Sequence, residues 1–122
     1  MSEMRVLLID DEHELVSTLV ERLAYRDIEA EFAVDGEQAL DMMRKSTFDI
    51  VVLDLKLPGM SGSDVLKAIR REWPDMPVLM ITGHGADGAR QEQIPIENCE
   101  CLAKPIGIDQ LILKMKEALT KS

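Results

Sequence analysis

The strongest constraint on the fold is a short run of apolar residues that ends in a carboxylate. Residues 50–53 are Ile, Val, Val and Leu, and Asp54 follows them directly. Turn-forming residues come next, including Pro58 and Gly59. A continuous apolar run bounded by turn signals is typical of a strand buried on both faces of a sheet. Ligands bind at the carboxyl edge of open α/β sheets, so Asp54 is predicted to lie where such sites form.

Strand-like and helix-like segments alternate along the whole chain. Apolar residues at helical spacing, such as Leu15, Leu19 and Leu23, predict helices, and the final helix is predicted from Ile108 to Leu119. The predicted strands are residues 6–9, 29–34, 49–54, 77–81 and 99–103. This alternation predicts an α/β fold with a doubly wound parallel sheet. We expect a single domain over residues 1–122, because the sequence contains no linker, repeat or low-complexity stretch.

Capping residues and helix breakers predict some helix ends clearly and others poorly. Asp35, with Gln38 three residues later, predicts the start of the second helix, and either Ser61 or Ser63 can cap the third. The apolar face of the third helix is predicted at Val65, Leu66, Ile69 and Trp73. Residues 86–98 are the hardest to interpret, because helix-forming residues there are interrupted by Pro95. We expect this fourth helix to be short or irregular.

The charge balance limits the partners of the chain. The net charge is −9 and the pI about 4.6, and an acidic surface repels phosphate backbones, so we expect no direct contact with nucleic acid. No apolar run approaches the roughly 18–20 residues of a membrane span, and the first residues do not resemble a signal peptide. We therefore expect a cytoplasmic protein without membrane contact. Cys99 and Cys101 are expected to be small, buried, reduced side chains.

Polar residues follow the predicted strands at the edge where Asp54 lies. If the strand order is the flavodoxin-like 2-1-3-4-5, Asp10 and Asp11 share a crevice with Asp54, and Thr82 and Lys104 reach the same edge. Crowded carboxylates repel one another, and Mg²⁺ would relieve that repulsion while sharing its coordination shell with a phosphate. A lysine and a hydroxyl opposite the metal would suit the oxygens of a transferring phosphoryl group. Asp54 is the best candidate nucleophile, and its product would be an acyl phosphate.

Each of these residues has an ordinary structural explanation when it is considered alone. Asp11 could equally cap the first helix, and an aspartate at a strand end is more often a cap or a solvated turn residue. Thr82 and Lys104 are individually unremarkable at a strand end and at a surface. The combination carries the prediction, because four strand ends each contribute a group that phosphoryl chemistry needs.

The sequence resembles the receiver domain of two-component response regulators over essentially its whole length. The resemblance implies that Asp54 is phosphorylated by a histidine kinase or a phosphotransfer protein. Any one of the matching motifs would be weak, but together at these separations they are specific. The motifs are residues 8–12, 52–62, 81–85 and 102–105.

The resemblance also assigns roles around Asp54. It implies that Asp10 and Asp11 hold Mg²⁺ together with Asp54 and the main-chain carbonyl of Lys56. It implies that two side chains contact the phosphoryl oxygens, those of Thr82 and Lys104.

Two departures from the family pattern concern signal output. Receivers usually carry Phe or Tyr three residues before the final lysine, where this sequence has Cys101. Residues 93–98 replace the usual approach to the last strand. In the family, the face formed by the fourth helix, fifth strand and fifth helix is commonly the output and dimer surface. We therefore predict a weakened or rerouted switch, and dimerisation through that face is in doubt.

Two other functions fit the sequence less well. Haloacid-dehalogenase-type phosphatases and phosphotransferases place a second acid two residues after the nucleophile, where this chain has Lys56, and they need a cap region that does not fit. A flavodoxin-like binding module would need a glycine-rich loop, but residues 10–12 are acidic and would repel a phosphate without metal. We therefore predict a phosphoacceptor that assists its own phosphorylation and dephosphorylation and turns over no external substrate.

Overall fold

A computed structural model describes residues 4–55, 57, 59–82, 100–103 and 107–120. Strands and helices alternate within these residues, as the sequence predicts. The strands are β1 (Arg5–Ile9), β2 (Glu29–Ala33), β3 (Ile50–Asp54), β4 (Val78–Thr82) and β5 (Glu100–Ala103). The helices are α1 (His13–Ala24), α2 (Gly36–Lys45), α3 (Gly62–Glu72) and α4 (Ile108–Thr120). Among these helices, none combines the length and apolar character that a membrane span requires.

The five strands form one parallel sheet in the order β2-β1-β3-β4-β5, which confirms the predicted order. β1 lies between β2 and β3, so that Leu8 faces Phe32 on one side and Val52 on the other. Ile9 is in register with Leu53. The carboxyl ends of β1 and β3 are therefore neighbours at the point where the strand order reverses.

The core consists of two apolar layers, one on each face of the sheet. Successive side chains of a strand point to opposite faces, so β3 contributes Leu53 to one layer and Val52 to the other. α2 and α3 cover the Leu53 side, while α1 and α4 cover the Val52 side. All five residues of β3 are buried, which confirms the buried central strand expected from its continuous apolar run.

The helix starts follow from local capping chemistry. Asp35 Oδ1 accepts a hydrogen bond from the backbone N–H of Gln38 at 2.8 Å, and Gln38 Oε1 accepts from Val34 N–H at 2.9 Å. Of the two serines proposed for α3, Ser61 is the cap: its Oγ accepts from Asp64 N–H at 3.2 Å. Ser63 lies inside the helix.

Some boundaries differ from the predicted ones by one residue. β2 ends at Ala33, one residue before its predicted end, and β4 begins at Val78, one residue after its predicted start. α3 ends at Glu72, and Trp73, predicted on the apolar face of that helix, is its C-terminal cap. The helix that the sequence predicts to be short or irregular, between β4 and β5, falls on residues 86–98, outside the described residues. The expectation for Cys99 also falls there, and Cys101 is described as a position in β5.

Candidate functional site

Two buried carboxylates lie at the carboxyl edge of the sheet. Asp54 is the last residue of β3, and Asp10 follows β1 directly; each is 4% exposed. Within the described part of the chain they are the buried charged residues. The backbone holds them in place: Asp10 N–H donates to the carbonyl oxygen of Ala33 at 3.0 Å, and Leu55 N–H donates to that of Ile81 at 3.0 Å. The fold therefore brings two charges to adjacent strand ends despite the cost of burying them.

A third carboxylate, that of Glu12, completes the group. The carboxylate oxygens of Asp10, Glu12 and Asp54 lie within 4.8 Å of one another. Glu12 N–H donates to Asp10 Oδ1 at 2.9 Å, which closes a tight turn between β1 and α1. Glu12 occupies the N-cap position of α1, but its side chain makes no capping hydrogen bond there. The side chain instead lies with the other two carboxylates.

The structure brings some of the predicted metal-binding residues together and leaves another apart. Asp10 and Asp54 come together as predicted, whereas Asp11 is exposed and lies outside the group of three carboxylates. The alternative role of Asp11 as cap of α1 is wrong, because Glu12 holds that position. A metal-binding role for Asp11 stays a prediction. Sequence reasoning missed Glu12, and the only signal was the unbroken acidic run at residues 10–12.

The remaining predicted residues are less completely described. Thr82 is the last residue of β4, in register with Ala103 at the end of β5, so its backbone reaches the same edge as Asp54. Lys56 and Lys104 lie outside the described residues. Their predicted roles, and that of the Thr82 hydroxyl, stay predictions.

The backbone after Asp54 is held tightly against α3. Gly62 N–H donates to the carbonyl oxygen of Leu55 at 3.0 Å. A β-carbon on Gly62 would lie 2.6 Å from Leu55 Cα and 2.8 Å from the carbonyl oxygen of Asp54. Only glycine permits this approach, so the start of α3 fixes the main chain that carries Asp54.

The chemistry of the three carboxylates suits a divalent metal ion. Carboxylate oxygens are hard ligands, which Mg²⁺ and Ca²⁺ prefer over nitrogen or sulfur. Two of the three groups are almost fully buried, and a bound cation would offset both their desolvation and their mutual repulsion. The residues present therefore fit a metal ion of this class.

Comparison with known protein families shows which family the chain belongs to. The family model described as the response regulator receiver domain matches residues 6–116. The chain belongs to this family. Receiver domains are the phosphoacceptor modules of two-component signalling, and neither the flavodoxin-like nor the phosphatase alternative is favoured.

Relatives of this receiver are named as regulators. It is 34% identical over 117 residues to the probable transcriptional regulatory protein TcrX of Mycobacterium tuberculosis, covering 96% of this chain and 50% of TcrX. It is 35% identical over 118 residues to the transcriptional regulatory protein CpxR of Escherichia coli, covering 97% of this chain and 50% of CpxR. The chain thus spans about half the length of the curated relatives it matches.

Crystal structures confirm the receiver fold. The response regulator TrrA of Thermotoga maritima, in complex with Mg(2+)-BeF, is 30% identical, with a TM-score of 0.83 over 98% of this chain and 100% of TrrA. The Vibrio cholerae chemotaxis protein CheY4 is 28% identical, with a TM-score of 0.86 over 95% of this chain and 98% of CheY4. The flavodoxin-like fold predicted for this receiver is therefore confirmed.

Proposed function

We propose that this receiver, acting as one domain over residues 1–122, accepts a phosphoryl group on Asp54. The observation that carries the proposal is the position of Asp54, a buried carboxylate that ends the central strand within 4.8 Å of the carboxylates of Asp10 and Glu12. One carboxylate oxygen of Asp54 attacks phosphorus. The new O–P bond forms as the bond between phosphorus and the donor's leaving group breaks, and the leaving group takes that electron pair.

Asp10, Glu12 and Asp54 would hold the metal ion, which we propose is Mg²⁺. When bound, Mg²⁺ would neutralise negative charge on the phosphoryl oxygens and on the carboxylates. The complex of TrrA with Mg(2+)-BeF supports this choice of ion. The contributions of Asp11 and of the Lys56 carbonyl remain part of the proposal.

The phosphoryl oxygens would face two further side chains. We propose that the Thr82 hydroxyl donates a hydrogen bond to one oxygen and that the Lys104 ammonium neutralises charge on another. The support for Thr82 is its place at the end of β4, beside the end of β3. The support for Lys104 is its place in the sequence directly after the last residue of β5.

The phosphoryl donor would be a sensor histidine kinase or a phosphotransfer protein, as expected for a member of this family. We propose a cytoplasmic location, which is supported by the likeness to relatives named as transcriptional regulators, about half of whose length the chain matches. Its net charge of −9 supports the absence of direct nucleic-acid contact by this domain. We propose no turnover of an external substrate.

The route of signal output is proposed to differ from the usual one. Cys101 stands where the family carries an aromatic switch residue, and residues 93–98 are unusual before the fifth strand. We propose that the switch is weakened or rerouted. Structures with and without a phosphoryl mimic test this, and an ordinary full-length helix between β4 and β5 that shifts together with Thr82 would refute it.

Labelling with a small acyl phosphate such as acetyl phosphate tests the phosphoacceptor assignment. We expect a mass increase of one phosphoryl group that requires Mg²⁺ and maps to the peptide containing Asp54. Asp54→Asn should abolish the increase. Asp41→Asn is the matched control, because Asp41 is an exposed acid of α2 that pairs with Lys45 at 2.9 Å. Undiminished labelling of Asp54→Asn would overturn the assignment.

A further inference from the structure

A concave surface lies at the opposite edge of the sheet from Asp54. Residues 72–77, with Phe48 and Asp49, line a groove of about 450 Å³. We call it the β3–β4 groove, because it lies where the chain enters those two strands. Its floor is partly buried: Phe48 is 5% exposed, and Trp73 packs against the apolar layer on the α2–α3 side of the sheet. None of these residues belongs to the phosphoacceptor site.

Backbone hydrogen bonds hold the walls of the β3–β4 groove in a fixed shape. Met76 N–H donates to the carbonyl oxygen of Trp73 at 3.0 Å, which closes the turn after α3. Pro77 accepts from Val51 N–H at 3.0 Å, and Asp49 N–H donates to the carbonyl oxygen of Arg5 at 2.8 Å. A groove with such walls is largely formed before a ligand binds, which lowers the entropic cost of binding.

The charges that line the groove are all negative. Its ionisable residues are Asp49, Glu72 and Asp75, and no lysine or arginine is among its lining residues. Asp49 Oδ2 already accepts from Arg5 N–H at 2.8 Å, and Glu72 receives a two-pronged ion pair from Arg44, with atom distances of 3.0 to 3.3 Å. Within the described part of the chain, Asp75 is exposed and has no ion pair. Asp75 is therefore the acid most able to receive a cation from outside.

Apolar and aromatic surface lies directly beside Asp75. Trp73 is two residues away and half-buried, and Pro74, Met76 and Pro77 complete the apolar lining. An indole ring attracts cations over its face, and arginine is the side chain most often found there. Arginine also carries an apolar stem that packs on such surfaces while its charged end reaches a carboxylate.

We propose that the β3–β4 groove is a docking site for a basic segment of a partner protein, in which an arginine flanked by apolar residues binds between Trp73 and Asp75. Charge complementarity selects this occupant. A second copy of this chain carries a net charge of −9 and is repelled overall. The groove is bordered by exposed residues at Glu72, Pro74 and Asp75, which leaves room for an extended chain to pass through it.

An NMR titration tests the proposal. The probe is the peptide acetyl-Leu-Arg-Leu-Arg-Leu-amide, and its control is the same peptide with both arginines replaced by neutral, isosteric citrulline. The reporter is the indole N–H of Trp73, the only tryptophan of the chain. We expect the arginine peptide to shift the Trp73 signal and the backbone signals of residues 72–77, and to bind more weakly as ionic strength rises.

Charge reversal at Asp75 gives the decisive comparison. Asp75→Lys should weaken binding of the arginine peptide by about fivefold or more, since it replaces an attraction with a repulsion. Glu21→Lys, which changes the net charge equally at an exposed position of α1, should change it much less. Asp54→Asn should bind the peptide as the unaltered chain does, so the result does not depend on the phosphoacceptor site.

Several results would overturn the inference. These are equal binding of the citrulline peptide, shifts confined to residues outside the groove, and equal effects of Asp75→Lys and Glu21→Lys. Tighter binding of phenethylammonium alone would assign the groove to a small organic cation instead of a protein segment.

Discussion

Gly62 and Leu55 approach so closely that the start of α3 packs directly against the main chain next to Asp54. The Gly62 N–H donates to the Leu55 carbonyl oxygen at 3.0 Å, and a β-carbon at Gly62 would lie 2.6 Å from Leu55 Cα. Backbone atoms cannot swing aside as a flexible side chain can. The conformation of the segment that follows the phosphoacceptor is therefore tied to the position of a helix.

Gly62→Ala should destabilise the fold through this contact. We expect the free energy of unfolding to fall by about 1–3 kcal/mol, the usual cost of forcing extra atoms into a packed site. Urea denaturation measures it. Gly107→Ala is the comparison, because a β-carbon there would meet nothing within 4 Å; Gly107 directly precedes α4, so only the preference of that position for glycine over alanine is lost, at about 1 kcal/mol or less. A Gly62→Ala variant as stable as the unaltered chain would mean that α3 can move away from Leu55 without cost.

The two serines at the start of α3 should contribute unequally. Ser61→Ala removes the oxygen that accepts from Asp64 N–H at 3.2 Å and should cost about 1 kcal/mol. Ser63→Ala should cost less, since Ser63 lies inside the helix and its Oγ contacts only the Ser61 Oγ among the described hydrogen bonds, at 3.1 Å. Urea denaturation of both variants checks the ranking, and a larger loss for Ser63→Ala would contradict the capping role of Ser61.

The sequence predicts the sheet well because its signals are local. The continuous apolar run of β3 predicts that strand, and the Asp35–Gln38 pair predicts the start of α2. Each signal lies within the few residues whose structure it predicts. The sequence predicts less well which residues form the group of three carboxylates. The composition of that group depends on the turn in which Glu12 N–H reaches Asp10 Oδ1 and on the packing of β1 against β3. Periodicity contains no information on either, so Glu12 was missed while Asp10 and Asp54 were found.

The β3–β4 groove shows a second limit of sequence reasoning. Helical spacing indicated that Trp73 belongs to the buried face of α3. Trp73 does pack against the apolar layer to which this face contributes, but it caps the helix and remains half-buried, because the chain turns at Pro74 toward β4. The groove combines this turn with Phe48 and Asp49, which are more than twenty residues earlier in the sequence. Only the tertiary fold brings these segments together.

The placement of Glu12 predicts a difference between two neighbouring acids. Glu12→Gln removes one of the three converging carboxylates and should weaken Mg²⁺ binding by about tenfold, equivalent to ~1.4 kcal/mol. Isothermal titration calorimetry measures the affinity. Glu14→Gln, at an exposed position in the first turn of α1, is the control and should leave the affinity unchanged.

Asp11→Asn tests the competing ligand set. If Asp11→Asn weakens Mg²⁺ binding while Glu12→Gln does not, the set implied by the family resemblance is correct and the role of Glu12 is refuted. If both variants weaken it, the two acids share the ion. Asp11 is exposed and outside the group of three carboxylates, so we expect the smaller effect from Asp11→Asn.

Mg²⁺ should stabilise the folded chain through the same three carboxylates. A ligand that binds only the folded state adds RT ln(1 + [L]/Kd), or about 2.7 kcal/mol when its concentration is a hundred times Kd. Urea denaturation with Mg²⁺ and with a chelator should therefore show a clear rise in the free energy of unfolding for the unaltered chain. The rise should be largely lost in Asp54→Asn and retained in Asp41→Asn, whose carboxylate pairs with Lys45 on the surface of α2. An equal rise in all three proteins would show that the ion binds somewhere other than beside Asp54.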